Sequence, residues 1–374
     1  MTADCAAPRV AFFLATSGHS GVDRVMQRLI PAVAARGYPV DLLRVRGHGP
    51  DLGGEVRGVR VVDLGCSHVY ACVGRVARYL RRERPTAMLA DKDRVNRTAL
   101  LARALSGVPV RLVLRSGTTI SVDLASRGAL DRRVQAASMR YLYGRAFRVL
   151  VPSLGAARDL SAYAGLPPSH IAVVPSPIVT DDLVQLAESP LDDDWLAAGQ
   201  PPVILGVGEL SGRKDYATLV NAFAIVRKEM PCRLLILGEG RQRENLERLA
   251  VELGVAADVR LPGFSTNPYA YMRRAGAFVH TSRWEGMPVV LIEALALGVP
   301  VVATDCPSGP RELLQDGRVA PLVPVGDCRA VAAAILDVLR RPPDARALRQ
   351  AAEPYRVGAS VDAYLAAMGL EAAP

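Results

Sequence analysis

The stretch "SRWEGMPVVLIEALALGVPVVATD", residues 282–305, places two glutamates around a strongly apolar run. Glu285 and Glu293 are eight positions apart, and the residues between them would suit a protein core. Pro288 is compatible with the first turn of a helix, and "VPVVATD" has the pattern of a buried strand. Because burying a charge is costly, carboxylates next to such a run need a functional or structural reason.

Outward from this stretch, strand-like and helix-like segments alternate in two series, a pattern typical of parallel α/β sheets. The first series runs from "RVAFFLAT" to "IAVVPSPI", and the second starts at "PPVILGVGEL". Between them, "VTDDLVQLAESPLDDDWLAAGQP" at 179–201 is acidic, carries turn residues and predicts a linker. The chain has 374 residues, more than a single core usually supports. We therefore expect Rossmann-like domains at 1–185 and 186–350, with a helical tail at 351–374.

Composition narrows the classes of function. The net charge of +9 suits an anionic substrate or an anionic membrane face, or else an arginine-rich surface without a role. The basic residues are scattered and only 5% of residues are aromatic, which disfavours nucleic acid as a partner. The cysteines and histidines lack metal-ligand spacing, so neither a metal site nor a disulfide framework is expected. With no signal peptide or spanning segment recognised, we expect a cytoplasmic protein.

The two glutamates lie where ligands bind in such folds. In an open parallel sheet this is outside the carboxyl ends of the strands, and Glu285 lies in the loop after the strand "GAFVHTS". Gly286 lets a ligand approach the backbone, and amides at the helix start can face a phosphate. The carboxylates would then accept hydrogen bonds from ligand hydroxyls. The alternative is that Glu285 is a helix-start charge and Glu293 a solvated helix residue.

Several segments together resemble a known family. "EGMPVVLIEALALGVPVVATDCPSGPREL", "GVGELSGRKDYATLVNAFAIV", "LLILGEGRQRENLERLA" and "VRLPGFSTNPYAYMRRAGAFV" are similar, in order, to the motifs of retaining glycosyltransferases of family 4. The resemblance covers residues 201–330 and is weaker over 1–180, where "SGHSGVDRVMQRLI" is similar to a glycine-rich loop and helix. It implies the GT-B fold: two Rossmann-like domains facing each other across a cleft, with a C-terminal helix crossing back.

The resemblance also implies roles for individual residues. Glu285 would contact the donor sugar and Glu293 the ribose, while Arg213 and Lys214 would neutralise the diphosphate in place of a metal ion. The remaining donor-side residues would line the sugar, phosphate and base sites: Gly286, Met287, Pro288, Val289, Gly208, Gly238, Gly240 and Pro262 to Phe264. On the acceptor side the candidates are Gly21, Ser116 and His19, where the alternative for His19 is an ordinary surface-loop histidine. No cofactor is expected besides the nucleotide diphosphate sugar as co-substrate.

The sequence departs from the family pattern at two points. Glu209 stands where many relatives have an arginine, so one phosphate contact is missing or is supplied by Arg213. Many relatives also have a histidine in the loop after the strand at 110–115, whereas this loop reads "RSGTTISVD". Arg115, Ser116 or Thr118 are candidates to replace that histidine.

The resemblance implies a retaining, metal-independent hexosyltransferase of cell-surface polysaccharide or lipopolysaccharide synthesis. A UDP-sugar is the favoured donor, with GDP-mannose as the alternative, and the acceptor is a glycan or lipid-linked. The basic segments "RRER" at 81–84 and "DRR" at 131–133 favour peripheral contact with an anionic inner membrane face. Rival interpretations are a GT-B sugar-nucleotide epimerase and a weakly catalytic homologue that acts as a glycan-assembly scaffold. A Rossmann dehydrogenase is the weakest, because no GxGxxG follows the first strand.

Overall fold

The computed structural model describes residues 7–16, 18, 21–125 and 128–370. The chain forms two compact units. The first comprises Met1–Ile178 together with Tyr355–Pro374, and the second comprises Val179–Pro354. No helix within the described ranges is both long enough and apolar enough to cross a bilayer.

The first unit contains a parallel sheet in the order β3-β2-β1-β4-β5-β6-β7. Its elements up to residue 173 are β1 (Val10–Leu14), α1 (Gly21–Ala35), β2 (Val40–Arg44), β3 (Val59–Asp63), α2 (Val73–Glu83), β4 (Ala87–Asp91), α3 (Asp93–Ser106), β5 (Arg111–Arg115), α4 (Ile120–Asp123), α5 (Ala129–Tyr143), β6 (Arg148–Val151), α6 (Leu154–Ala164) and β7 (Ile171–Val173). The hydrophobic core includes buried residues of the strands and of α2, α3, α5 and α6, among them Phe13, Leu112 and Tyr143.

The second unit repeats this architecture with the parallel order β10-β9-β8-β11-β12-β13. Its elements are α7 (Leu183–Glu188), β8 (Val203–Val207), α8 (Tyr216–Glu229), β9 (Arg233–Leu237), α9 (Arg243–Glu252), β10 (Val259–Gly263), α10 (Pro268–Arg274), β11 (Ala277–His280), α11 (Val289–Ala296), β12 (Val301–Thr304), α12 (Pro310–Leu313), β13 (Leu322–Val323), α13 (Cys328–Arg340) and α14 (Ala345–Ala352). The α/β expectation is confirmed in both units.

The second sheet has a switch point at β8. This strand pairs with β9 on one side and with β11 on the other, so the chain crosses over there. The loops that follow β8 and β11 leave neighbouring strands at their carboxyl ends. Ligands of open α/β sheets bind at such a point, and here these loops carry Lys214 and Glu285.

The chain returns to the first unit at its C-terminal end. Helix α15 (Val357–Ala367) packs against α1, and its buried face includes Val361, Tyr364 and Leu365. The helical spacing of these apolar residues predicts a helix here, as the structure shows. The return agrees with the C-terminal helix that the resemblance implies.

The unit boundary differs from the expected one. It lies between Ile178 and Val179 rather than at 185/186, and the return is at Tyr355 rather than at 351. The expected linker is folded into the second unit, because α7 buries Leu183 and packs on α10. Farther along, Trp195 is buried, and the guanidinium groups of Arg233 and Arg260 both pack on its ring. The acidic composition of residues 179–201 predicts a linker, but the buried Leu183 and Trp195 attach this segment to the second unit.

Candidate active site

The two loops at the switch point are bonded to each other. The amide of Arg283 donates to the carbonyl of Arg213 (2.8 Å), and the hydroxyl of Thr281 donates to the carbonyl of Lys214 (2.9 Å). The Arg283 guanidinium also pairs with Asp215, with Nε 3.1 Å from Oδ2. Three contacts therefore fix the β8–α8 loop against the β11–α11 loop.

Glu285 is the centre of a buried polar cluster. Its Oε1 lies 2.6 Å from Lys214 Nζ and 2.8 Å from Ser282 Oγ, and its Oε2 lies 2.9 Å from Arg213 Nη1. His280 Nε2 is 3.4 Å from Oε1. Only 5% of Glu285 is exposed. The structure therefore brings together Glu285, Lys214 and Arg213, the residues to which the resemblance assigns sugar and diphosphate contacts.

Charge explains the protonation state of this cluster. Burial alone would raise the pKa of Glu285, but the charge of Lys214, the contact with His280 and the charge of Arg213 together outweigh burial and hold that pKa well below its ordinary value. Burial lowers the pKa of His280, with the charges of Lys214 and Arg213 acting in the same direction. At neutral pH we therefore expect an ionised Glu285 beside a neutral histidine. The pair Lys214 and Arg213 exceeds the single charge of Glu285 by one positive charge.

The glycines at the strand ends have a role in packing. A Cβ on Gly238 would lie 1.9 Å from the carbonyl oxygen of Gly208, and one on Gly240 would lie 2.3 Å from that of Leu210. A Cβ on Gly208 would approach the Tyr216 hydroxyl to 2.9 Å. These positions admit only glycine because chain segments approach each other closely. Close approach of a nucleotide, which the resemblance implies, stays a prediction.

Glu293 is not a solvated helix residue. It is fully buried on α11, and its Oε1 accepts a 2.9 Å hydrogen bond from the hydroxyl of Tyr269 on α10. The interpretation of Glu293 as a solvated helix residue is therefore wrong. The contact between Glu293 and a ribose remains a prediction.

The other donor-side residues lie around the start of α11 and the end of β10. The helix begins at Val289, directly after Pro288, while Met287 is 8% exposed. The carbonyl of Gly286 accepts a 3.1 Å hydrogen bond from Ser308 Oγ. At the sheet edge, Phe264 is 66% exposed just after β10, so its ring is open to a stacking partner.

Two positions in the β8–α8 loop differ in exposure. Glu209, the departure from the family pattern, is exposed, whereas the side chain of Arg213 is 35% exposed and bonded to Glu285. No group of three or more His, Cys, Asp and Glu side chains suited to a metal ion occurs among the residues described.

The acceptor-side candidates belong to the first unit. Gly21 is the first residue of α1, and Ser116 is buried just after β5, with its amide bonded to the carbonyl of Leu150 (2.9 Å). Thr118 is exposed. His19 lies outside the described residues.

Arg115 does not fit the role of a replacement for the family histidine. Its guanidinium is buried and bonds to Asp91 Oδ2 (2.6 Å), to the Tyr364 hydroxyl (2.9 Å) and to Ser176 Oγ (3.2 Å). These contacts use Nη1, Nε and Nη2, respectively. Arg115, the last residue of β5, therefore connects this strand to β4 and to α15. Ser116 and Thr118 remain as candidates to replace the family histidine.

Sequence reasoning missed three polar side chains of the site: His280, Ser282 and Tyr269. Each lies next to a recognised glutamate, but the spacing of histidines in the sequence gave no reason to select His280. A usable signal was the position of His280 and Ser282 at the end of a strand, just before Glu285. Tyr269 had no such signal because α10 and α11 meet only in the folded chain.

Comparisons with known proteins identify the family. Residues 190–354 match "Glycosyl transferases group 1", and residues 20–177 match "Glycosyl transferase 4-like domain". A relative from Campylobacter jejuni, the N-acetylgalactosamine-N,N'-diacetylbacillosaminyl-diphospho-undecaprenol 4-alpha-N-acetylgalactosaminyltransferase, is 30% identical over 332 residues. The match covers 85% of this chain and 86% of the relative. The chain belongs to the group 1 glycosyltransferases.

Solved structures support the fold. The lipopolysaccharide outer core galactosyltransferase WaaB is similar with a TM-score of 0.73 and 20% identity, over 96% of this chain and 99% of that chain. HepE from Anabaena in complex with UDP gives 0.75 and 16%, with the same two coverages. With two parallel-sheet α/β units, the fold is GT-B, and the chain is a glycosyltransferase, as the motifs predict.

Proposed function

We propose that the protein is a retaining, metal-independent glycosyltransferase that moves a hexose from a nucleotide diphosphate sugar to a glycan or lipid-linked acceptor. The donor is a UDP-sugar, with GDP-mannose as the alternative. The single observation that carries the proposal is the cluster in which Lys214 and Arg213 hold the buried carboxylate of Glu285 at the switch point of the second sheet.

The chemistry of this reaction requires stabilisation of the leaving group. When the bond between the sugar and the diphosphate breaks, negative charge grows on the diphosphate while the sugar carbon becomes oxocarbenium-like. Two cations that are already in place stabilise that charge without reorganising. Lys214 and Arg213 would supply this stabilisation, which a metal ion supplies in other transferases.

The relatives support the proposed donor nucleotide, the retention of configuration at the sugar carbon and the biosynthetic pathway. HepE binds UDP, and its fold matches this chain. The Campylobacter relative forms an alpha linkage on a diphospho-undecaprenol acceptor. An alpha product from an alpha-linked donor means retention. WaaB acts on the lipopolysaccharide outer core, which favours cell-surface polysaccharide or lipopolysaccharide synthesis for this chain.

A lipid-linked acceptor would bring the enzyme to the inner face of the cell membrane, and α5 has a suitable surface. Leu130, Val134 and Tyr141 are 76%, 60% and 66% exposed and share one helix face at spacings of four and seven. Arg133 and Arg140 are exposed on the same helix. An apolar stripe flanked by arginines suits the surface of an anionic bilayer, and we infer cytoplasmic, peripheral contact there.

Thermal unfolding with a panel of UDP-, GDP- and ADP-sugars tests the donor class. A ligand present at about 100 times its dissociation constant stabilises the fold by roughly 2.7 kcal/mol, which a melting curve detects readily. We expect the UDP-sugars to give the largest shift, with EDTA present throughout. If none of the nucleotide sugars shifts the transition, the proposed donor class is wrong.

A further inference from the structure

His280 is buried directly behind Glu285 and has a defined contact. It ends β11 and is 4% exposed, while Ser282, two residues later, is fully buried. His280 Nε2 lies 3.0 Å from Ser282 Oγ, and Ser282 Oγ lies 2.8 Å from Glu285 Oε1. The three groups form a chain that ends at the carboxylate, and its two contacts are shorter than the direct separation of 3.4 Å between His280 Nε2 and Glu285 Oε1.

The number of available protons fixes which atoms donate in these hydrogen bonds. An ionised carboxylate only accepts, so the single hydroxyl proton of Ser282 is donated to Glu285. Ser282 Oγ is then an acceptor for His280, which requires the neutral ring to carry its proton on Nε2. In agreement, Nδ1 of His280 is buried without a hydrogen-bond partner in the described part of the chain. A buried Nδ1 that carries no proton is only an acceptor without a partner, whereas a protonated Nδ1 would be a buried donor without a partner.

The contacts of Glu285 are of two kinds. Lys214 and Arg213 are the cations that a donor diphosphate would attract, so donor binding weakens their hold on the carboxylate. Ser282 and His280 are neutral and buried, and a diphosphate does not compete for them. Building on the proposed function, we propose that His280, acting through Ser282, is a positioning residue that keeps the Glu285 carboxylate in place while Lys214 and Arg213 bind the donor diphosphate.

Three variants and a double mutant test this role. His280→Leu removes the donor at similar size, Ser282→Ala removes the relay, and His280→Gln retains an N–H donor near the Nε2 position. We expect Ser282→Ala to lower kcat about tenfold, the loss typical of one hydrogen bond to a charged group, and His280→Leu to lower it about fivefold, because its own hydrogen bond is to a neutral hydroxyl. UDP affinity, measured by calorimetry, should change less than about twofold. His280→Gln should recover most of the activity.

The double mutant distinguishes a relay from two separate effects. If His280 acts through Ser282, His280→Leu combined with Ser282→Ala is no slower than Ser282→Ala alone. Multiplied losses, an equal loss of UDP affinity or an unchanged kcat in His280→Leu would overturn the proposal. Melting curves identify any variant that fails to fold.

A second readout does not depend on turnover. Nitrogen NMR of the His280 ring at neutral pH should show a neutral imidazole protonated on Nε2, and Ser282→Ala should shift that resonance. A ring protonated on Nδ1 overturns the chain of hydrogen bonds even if the donor is misidentified. Conversely, a wild-type protein that binds no nucleotide sugar refutes the proposed function and leaves the NMR test of His280 intact.

Discussion

Lys214 Nζ lies 2.6 Å from Glu285 Oε1, and both residues are buried, at 9% and 5% exposure. A charge-assisted hydrogen bond this short is strong in a buried setting. Because Arg213 contacts the other carboxylate oxygen, Glu285 is bidentate between two cations. The site without donor is therefore already electrostatically paired, and a diphosphate would have to share the cations with Glu285.

Replacing Lys214 should affect turnover more than donor binding. Charge on the diphosphate grows towards the transition state, so a contact with it strengthens there. We expect Lys214→Ala to lower kcat by about 10²–10³, the range seen when one preorganised donor is removed, with a smaller rise in KM. Lys228→Ala, on the exposed face of α8, is the matched control and should behave as wild type. A raised KM with unchanged kcat would show that Lys214 contacts only the ground state.

Chelation should leave the donor bound. Lys214 and Arg213 provide the positive charge that a divalent ion would otherwise bring, so UDP affinity and transfer should be the same in EDTA and in excess Mg²⁺. Calorimetry of UDP binding and a transfer assay under both conditions measure this. A strict requirement for a divalent ion in both experiments contradicts the proposed mechanism.

The sequence carried much of this site but not all of it. The apolar run after Gly286 forms α11 and β12. Glu285, Lys214 and Arg213, which the motifs identify, are in direct contact. Such motifs are readable because each sits at a strand end, where local pattern and topology coincide. The hydrogen bond between Tyr269 and Glu293 joins residues 24 positions apart. The hydrogen bond between Arg115 and Tyr364 joins residues 249 positions apart. No local pattern encodes such contacts.

The α5 surface makes membrane binding testable. The wild-type protein should co-sediment with vesicles rich in phosphatidylglycerol at low salt. It should not co-sediment with neutral phosphatidylcholine vesicles. Leu130→Ser combined with Val134→Ser and Tyr141→Ser should reduce binding at least about tenfold, because each buried apolar side chain contributes roughly 1.5–3 kcal/mol. The control, Val184→Ser with Val251→Ser, alters two exposed valines of the second unit and should bind normally. Equal binding by both variants would place the membrane contact elsewhere.

The two glutamates should separate in their effects on the nucleotide and on the sugar. If Glu293 holds the ribose, Glu293→Gln weakens binding of UDP and of the intact UDP-sugar alike. If Glu285 contacts only the sugar, Glu285→Gln lowers transfer without weakening UDP binding, because loss of its charge leaves Lys214 and Arg213 to the diphosphate. A buried hydrogen bond to a carboxylate contributes about 1.5–3 kcal/mol, so each effect should be roughly tenfold to a hundredfold.

Calorimetry against UDP, beside a transfer assay, distinguishes these roles. Glu244→Gln on the exposed surface of α9 is the control for loss of one carboxylate charge. Equal loss of UDP affinity in Glu285→Gln and Glu293→Gln would refute the division between sugar and ribose. A loss of folding in Glu293→Gln alone would indicate that its bond to Tyr269 is structural.

The last prediction follows from the pKa shifts at the site. The pKa of His280 is below its ordinary 6.5, because burial together with the charges of Lys214 and Arg213 outweighs the opposite effect of Glu285. Burial would raise the pKa of Glu285, but Lys214, the contact with His280 and Arg213 together bring it well below its ordinary 4.5. Tyr216 and Cys306 also face the cluster. Burial and the charge of Glu285 raise the pKa of both, so they stay neutral under acid.

Both shifts have the same sign in a stability profile. As pH falls below about 6.5, the unfolded chain protonates His280 before the folded chain does, so the free energy of unfolding decreases. Glu285 contributes its full stabilisation above its ordinary pKa and loses it as pH falls below 4.5 through the folded value. Each group changes the free energy of unfolding by at most about 1.4 kcal/mol per pH unit.

Urea unfolding of wild type and His280→Gln between about pH 7.5 and pH 4.5 measures the histidine contribution separately. We expect the wild type to lose stability from pH 6.5 downwards and the variant to lose less over the same interval, since glutamine does not titrate. His48→Gln, at a loop position of the first unit, is the control for replacing a histidine outside the cluster. Parallel curves for wild type and His280→Gln would mean that His280 has the same pKa in both states. A shallower wild-type curve would mean that the folded ring takes up the proton first, against the burial and the two cations that surround it.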